Sequence, residues 1–214
     1  MKGLCAVAIL AFLICGDLAV VGATARADDL ADCEGSHGKQ RIQACSRIIE
    51  SASLYQRPIS KKNLAAAQVN RGIGYEQSGM LEKAIADFDR AIGNDPNNAV
   101  AYYNRGVTYA DMADADRAIA DFDAAIRLNA RYAAAYNNRG IAHQFKGNFD
   151  QAISDYSMAI KLNPNYATAY NNRGDAYEKK GNLDQAAADY RKALSIDPSL
   201  KAAIYNLEKL GQKP

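Results

Sequence analysis

The chain has 214 residues, 49% of them hydrophobic and 23% charged, with a formal net charge of +2. That is the profile of an ordinary soluble protein with enough length for a real core, and it lacks the clustered basic excess that nucleic-acid binding uses. With no Trp, 2 His and 4 Cys, there is little raw material for a zinc site or a His-based catalytic centre. Abundant Ala beside only 5 Pro points to helix. The expectation is a helical binding protein: not an enzyme, with no cofactor, no metal, no small-molecule substrate and no nucleic-acid partner.

The first 27 residues read as a secretory signal peptide. Met1-Lys2 supplies a positive start, Leu4 to Val21 is apolar except for Gly16 and Asp17, and Ala25 and Ala27 fit a small-x-small cleavage site. Asp28 is then the mature N-terminus, of an exported and periplasmic protein. The alternative is an uncleaved anchor, because the run approaches the span of roughly 17 to 20 residues a bilayer needs. Asp17 would be costly there. Membrane association is expected only in that uncleaved case. A lipoprotein signal at Cys15 is disfavoured, since Ile14 is not the small residue such a signal places before its cysteine.

Cleavage removes Cys5 and Cys15 and leaves Cys33 and Cys45. Two cysteines in an exported chain favour a disulfide between them. Residues 28–64 form a helical hairpin in this reading, with Cys33 on a short first helix, a turn around Gly35 to Gly38, and Cys45 on the second helix. A bridge there constrains the unfolded chain by roughly 2 to 4 kcal/mol. The spacing is not Cys-x-x-Cys, which speaks against a redox-active pair. Lys61-Lys62 is too short a run to form a nucleic-acid or membrane patch.

From about residue 65 the sequence repeats. Asn-Arg-Gly occurs four times, with its glycine at Gly72, Gly106, Gly140 and Gly174, each 34 residues after the last. Tyr102, Tyr136 and Tyr170 precede the last three of these glycines by four residues, with Gln68 in that slot of the first unit. Tyr75, Tyr109 and Tyr177 follow a glycine by three, and His143 takes that slot in the third unit. Ala84, Ala118, Ala152 and Ala186 come next, then the rings Phe88, Phe122, Tyr156 and Tyr190, then Ala91, Ala125, Ala159 and Ala193. Pro96, Pro164 and Pro198 close the first, third and fourth units, with Ala130 in that place in the second. Tyr102, Gly106 and Tyr109 lie at i, i+4, i+7 on one helix face, and Ala118, Phe122 and Ala125 repeat the spacing on a second. Small residues sit where the two helices cross, rings fill the rest, and proline stops the second helix.

This period and large/small pattern resembles the tetratricopeptide repeat over about 65 to 200. The resemblance implies an all-α, right-handed superhelical solenoid of antiparallel helix pairs. The units are 65–98, 99–132, 133–166 and 167–200, preceded by the degenerate hairpin 28–64 and followed by a capping helix and tail over 201–214. The hairpin shows the same pattern, since Arg41 to Ile49 echoes Ala84 to Ile92 with Cys45 in the ring slot. In the cap, Leu200, Ala203, Ile204, Leu207 and Leu210 form one stripe, with Lys201, Asn206, Glu208 and Lys209 opposite. Such short hairpins are marginal alone and gain stability by stacking.

Arg71, Arg105, Arg139 and Arg173 share one slot, and Asp87, Asp121, Asp155 and Asp189 another. Four matching copies point to a structural pair between helices, where catalysis would need a unique constellation. The family has an apolar residue where these arginines stand, so each must find a partner or reach water. The first helices of such repeats line a concave groove that binds extended or helical peptides. By that mapping the groove is lined by Asn70, Asn104, Asn138, Asn172, Tyr103, Asn137, Asn171, Val107 and Ile141. Asn70, Asn104, Asn138 and Asn172 form a ladder of amides able to pair with a peptide backbone of any sequence, or else to satisfy helix carbonyls and water. The Lys/Arg clamp some members use for a C-terminal carboxylate is absent, since Val69, Ile73, Ala134 and Asn138 stand there. The function expected is a protein-interaction scaffold in the bacterial cell envelope with a protein or peptide partner. The alternative is a self-assembling scaffold, a homo-oligomer stacked through its solenoid ends.

Overall fold

The computed structural model describes residue 29, residues 31–54 and residues 59–213. The signal segment and Asp28 lie outside the described residues. Among the described residues every regular element is a helix. Two compact units divide the chain, one ending at Asp95 and the other beginning at Pro96.

The first unit holds a short helix α1 (31–35), then α2 (Gly38–Leu54), α3 (Lys61–Gln77) and α4 (Leu81–Asn94). Helix α3 packs on both of its neighbours. It starts at Lys61, where the Ser60 hydroxyl accepts the Asn63 amide, four residues ahead of the repeat boundary read from the sequence. Cys33 and Cys45 are joined as expected, with Cα atoms 4.9 Å apart. The bridge ties α1 to α2 inside a small core with Ala44, Ile48 and Ala67. Gln68, in the slot that tyrosine fills in later units, is buried and accepts the Asn94 side-chain amide at 2.9 Å. A polar pair thus replaces a ring without leaving either amide unsatisfied.

The second unit holds three helix pairs and a final single helix. These are α5 (Ala99–Asp111) with α6 (Ala115–Leu128), α7 (Ala133–Phe145) with α8 (Phe149–Leu162), α9 (Ala167–Lys179) with α10 (Leu183–Ile196), and α11 (Lys201–Lys209). Consecutive helices pack on one another, and α5, α7, α9 and α11 also touch in sequence. The turn inside each pair places one residue in the left-handed region. Gly147 and Gly181 hold it at φ +79° and +81°, and Ala113 holds the same slot at +59°, a conformation that costs an L-residue about 1–2 kcal/mol. Between pairs, Asn129, Asn163 and Asp197 each accept a backbone amide two residues on. These turns form where proline is present and also at Ala130, where it is not.

Two contacts recur at every crossing. The ring of the second helix lies on the glycine of the first so closely that a Cβ at Gly72, Gly106, Gly140 or Gly174 would stand 2.5–2.9 Å from ring carbon. One residue earlier on both helices, arginine meets aspartate through two parallel hydrogen bonds. Arg71 pairs with Asp87 (2.6 and 2.7 Å), Arg105 with Asp121 (2.7 and 2.7 Å), Arg139 with Asp155 (2.9 and 2.5 Å) and Arg173 with Asp189 (2.7 and 2.8 Å). The aspartates are buried. The structural pairing read from the sequence is therefore present, and Arg71, Arg139 and Arg173 also reach the preceding second helix. Arg71 Nη1 donates to Ser46, Arg139 Nη1 to Asp123 and Arg173 Nη1 to Ser157. Ser46 follows Cys45 as Ser157 follows Tyr156, so α2 stands in the register of a repeat's second helix. Breaking a buried pair by removing one partner strands the other charge and costs about 3–5 kcal/mol.

Tyrosines wall these guanidiniums. Arg105 lies 5.7 and 5.9 Å from the ring centroids of Tyr102 and Tyr109, and Arg173 lies 5.6 and 5.9 Å from Tyr170 and Tyr177. Such cation–π contacts hold the fork in plane with its aspartate. In the third unit Tyr136 supplies one wall at 5.5 Å, and His143 stands where the other would be. It is half-buried, and its Nδ1 is buried without a hydrogen-bond partner. Burial holds its pKa below the ordinary 6.5, with Arg139 and Lys146 adding to the effect and Asp155 and Asp123 opposing it.

Two outcomes are expected. Gly140→Leu drives a side chain into the Tyr156 ring, and such overpacking costs about 1–3 kcal/mol; the thermal or urea midpoint falls, and an unchanged curve contradicts this crossing. His143 binds its proton less readily folded than unfolded. Its contribution is therefore complete above pH 6.5 and shrinks as pH falls through that value. In His143→Tyr that loss is gone, so the variant's advantage in melting temperature over wild type widens from pH 7.5 to 5.5. The gain stays below about 1 kcal/mol because a half-buried group is screened. A pH-independent difference refutes the assignment.

Candidate functional site

In the second unit, successive first helices meet through two series of side chains. In the first series the partners are 35 residues apart. Asn138 donates to the Tyr103 hydroxyl at 3.0 Å, Asn172 to the Asn137 oxygen at 3.1 Å, and Asn206 to the Asn171 oxygen at 3.2 Å. These bonds latch helix to helix. In consequence Asn137 and Asn171, expected to line a groove, are buried at 4% and 9% exposure. An amide wedged between helices satisfies its neighbour before it meets solvent.

The ladder residues divide similarly. Asn104 donates to the Val100 carbonyl of its own helix at 2.8 Å. Asn138 and Asn172 make the latches just described, each using one N–H of two, and Asn138 also accepts from Asn137 at 3.1 Å. Asn70 is half-buried on α3 in the first unit, where the neighbouring Val69 is buried at 4% exposure. Tyr103 is half-buried and stacks against Tyr132, with centroids 4.7 Å apart, and against Phe122 at 6.0 Å. Burial, with Tyr103 beside it, pushes the Tyr132 hydroxyl up to about 12.

In the second series the partners are 31 residues apart. Gln144 donates to Asp175, and Lys209 to Glu178. The ring of each second helix reaches up to the same series: Tyr156 donates to Gln144 and Tyr190 to Glu178, both at 3.0 Å. Burial, then the bond to Glu178, raises the Tyr190 pKa well above the ordinary tyrosine value. Burial pushes the Glu178 carboxyl up, but the bonds from Lys209 and Tyr190 outweigh it and hold the group below the usual carboxylate range. The same 31-residue register places Ala110 with Ile141. Phe122 has no hydroxyl to offer there, so this part of the face is apolar. Ile141 is 45% exposed, Ala110 is exposed and Val107 is half-buried.

Val100, 46% exposed, extends the stripe. It was not among the residues singled out from the sequence, although Val100, Tyr103, Asn104 and Val107 share one helix face at i, i+3, i+4, i+7. Asn206 and Lys209, placed on the solvent side by the sequence stripe, bond to α9, and Lys209 stays exposed while doing so, because α11 takes the place of a fifth first helix. Among the described residues, no three His, Cys, Asp or Glu are grouped to hold a metal, and no helix is long and apolar enough to cross a membrane. The face offers apolar surface, amide hydrogen bonds and carboxylates.

Among solved structures, the chain is similar to MamA at 29% identity and a TM-score of 0.64, covering 73% of this chain and 86% of that one. It is similar to the tetratricopeptide domain of Arabidopsis OM64 at 29% identity and a TM-score of 0.52, over 53% and 93% of the two chains. The fold is also that of YrrB, at 21% identity and a TM-score of 0.61, over 82% and 94%. No curated protein sequence gives a significant match. Three family models match: a tetratricopeptide repeat over residues 137–200, a TPR repeat over 74–112, and a tetratricopeptide repeat over 99–132. The chain is a tetratricopeptide-repeat protein.

Proposed function

We propose that this protein is a non-catalytic interaction scaffold that binds an extended or helical peptide segment along its first-helix groove. The observation that carries the reading is the apolar stripe of exposed Val100, Ala110 and Ile141 with half-buried Val107, beside the amides of Asn104, Asn138 and Asn172. Apolar surface supplies burial, and the N–H groups left over from the latches read a peptide backbone. Tyr103 adds an aromatic flank, and Asn137 and Asn171 hold the latches from behind; Asn70 is the residue at the same repeat position in the first unit. YrrB, which shares the fold, is described as a TPR protein with an unusual peptide-binding site. The signal-like segment over 1–27 and the Cys33–Cys45 bridge support export to the periplasm, where disulfides persist.

The test is calorimetry on a partner recovered with the mature chain as bait. Asn104→Ala with Asn138→Ala should weaken binding about five- to hundred-fold, because each lost hydrogen bond is worth roughly 0.5–1.5 kcal/mol. Helicity by circular dichroism stays near wild type, and Lys192→Ala on the exposed side of α10 changes little. Full affinity in a folded double variant moves the interface off this face.

A second reading, self-assembly through the solenoid end, is favoured by Tyr205. It occupies on α11 the slot of Tyr103, Asn137 and Asn171, each of which receives an asparagine from the following helix. Among the described residues no helix follows α11, and Tyr205 is 66% exposed. Light scattering across concentrations checks this: assembly gives a mass that rises with concentration and falls back in Tyr205→Ala, whereas a constant monomer mass rejects it.

A further inference from the structure

The second series of contacts changes character along the array. Its first rung, Ala110 with Ile141, is apolar and open to solvent. Its second rung joins Gln144 to Asp175, and its third joins Glu178 to Lys209. The third rung neutralises itself, cation against carboxylate. The second does not. Asp175 is half-buried, its partner is a neutral amide, and among the described residues no Lys or Arg forms an ion pair with it. A half-buried carboxylate is less well hydrated than an exposed one, and a neutral donor offsets only part of that loss.

Resting on the groove reading above, we propose that the bound segment has a defined composition and polarity: an apolar stretch seated on Val100, Val107, Ala110 and Ile141, followed by a Lys or Arg side chain whose cation meets Asp175. The apolar rung and the carboxylate belong to adjacent rungs of one register, on neighbouring helices α7 and α9, so one peptide crossing α5, α7 and α9 meets them in order. Lys209 bonds Glu178 and lies within electrostatic reach of Asp175 without pairing with it, so Asp175 is the carboxylate of the two polar rungs that a ligand cation can pair with directly. An acidic residue at that point would instead face the carboxylate of Asp175, which discriminates against acidic segments as well as favouring basic ones.

Fluorescence anisotropy with the full mature chain tests this on three labelled 12-residue probes sharing one Leu/Val/Ala core and ending in Lys-Lys, Ser-Ser or Glu-Glu. The Lys probe is expected to bind about tenfold tighter than the Ser probe, the scale of one charge-assisted hydrogen bond, with the Glu probe weakest and the difference shrinking in salt. Asp175→Asn keeps a polar partner for Gln144; it should bring the Lys probe to the affinity of the Ser probe and leave the Ser probe unchanged. Ile141→Ser should weaken all three. Equal binding of the Lys and Glu probes, or a Lys preference that survives Asp175→Asn, overturns the composition while leaving the groove intact. Failure of every probe to bind a chain with normal circular dichroism overturns both this inference and the groove reading on which it rests.

Discussion

Each helix pair is built around a crossing where one helix has no Cβ. The ring of Phe88, Phe122, Tyr156 or Tyr190 occupies the space a side chain would need at the glycine opposite, which sets how closely the backbones approach. The preceding residue on each helix then lies within reach of its counterpart, and arginine and aspartate lock there through two bonds. Steric contact fixes distance and the bidentate pair fixes rotation. Neither does both alone, since a ring can slide on a glycine and a flexible arginine can follow a moving aspartate.

The arginine contributes beyond its own pair. The remaining Nη1 of Arg71, Arg139 and Arg173 reaches Ser46, Asp123 and Ser157 on the preceding second helix, so the group that closes one hairpin also docks it on the one before. Stability in such arrays is a sum of repeat and neighbour contributions, and here one side chain serves both. Tyrosines on either side shield it from water and keep its plane aligned. Gln68 and His143 interrupt this in the first and third copies, and His143 makes the third pair the one whose packing senses acid.

With the crossings held alike, the first-helix face is where repeats differ. Two registers join neighbouring helices, and what occupies them sets local chemistry: amides in the 35-residue series, and a passage from apolar to amide-carboxylate to ion pair in the 31-residue series. The tyrosine hydroxyls of Tyr156 and Tyr190 extend the second crossing contact up into this face. At Phe122, which has no hydroxyl, the face above is apolar.

Much of this was legible in the sequence. The 34-residue recurrence of glycine, ring and small residues defines helix pairs because only close crossings require that spacing, and the matching arginine and aspartate slots announce a structural pair. The disulfide followed from reading residues 1–27 as a leader, which leaves Cys33 and Cys45 as the only pair. What the sequence could not decide was which amides face solvent. Asn137 and Asn138 are adjacent and identical, yet Asn137 is buried and accepts from Asn172, while Asn138 bonds across to Tyr103. Helical periodicity places a side chain to within a face about a third of the helix wide, and two neighbouring positions share that face. Only the lateral approach of the next helix separates them, by covering one and leaving the other at the rim. The orientation of Lys209 and Asn206 toward α9 was settled in the same way, because a helix stripe defines a core side but not which polar flank another helix will cover.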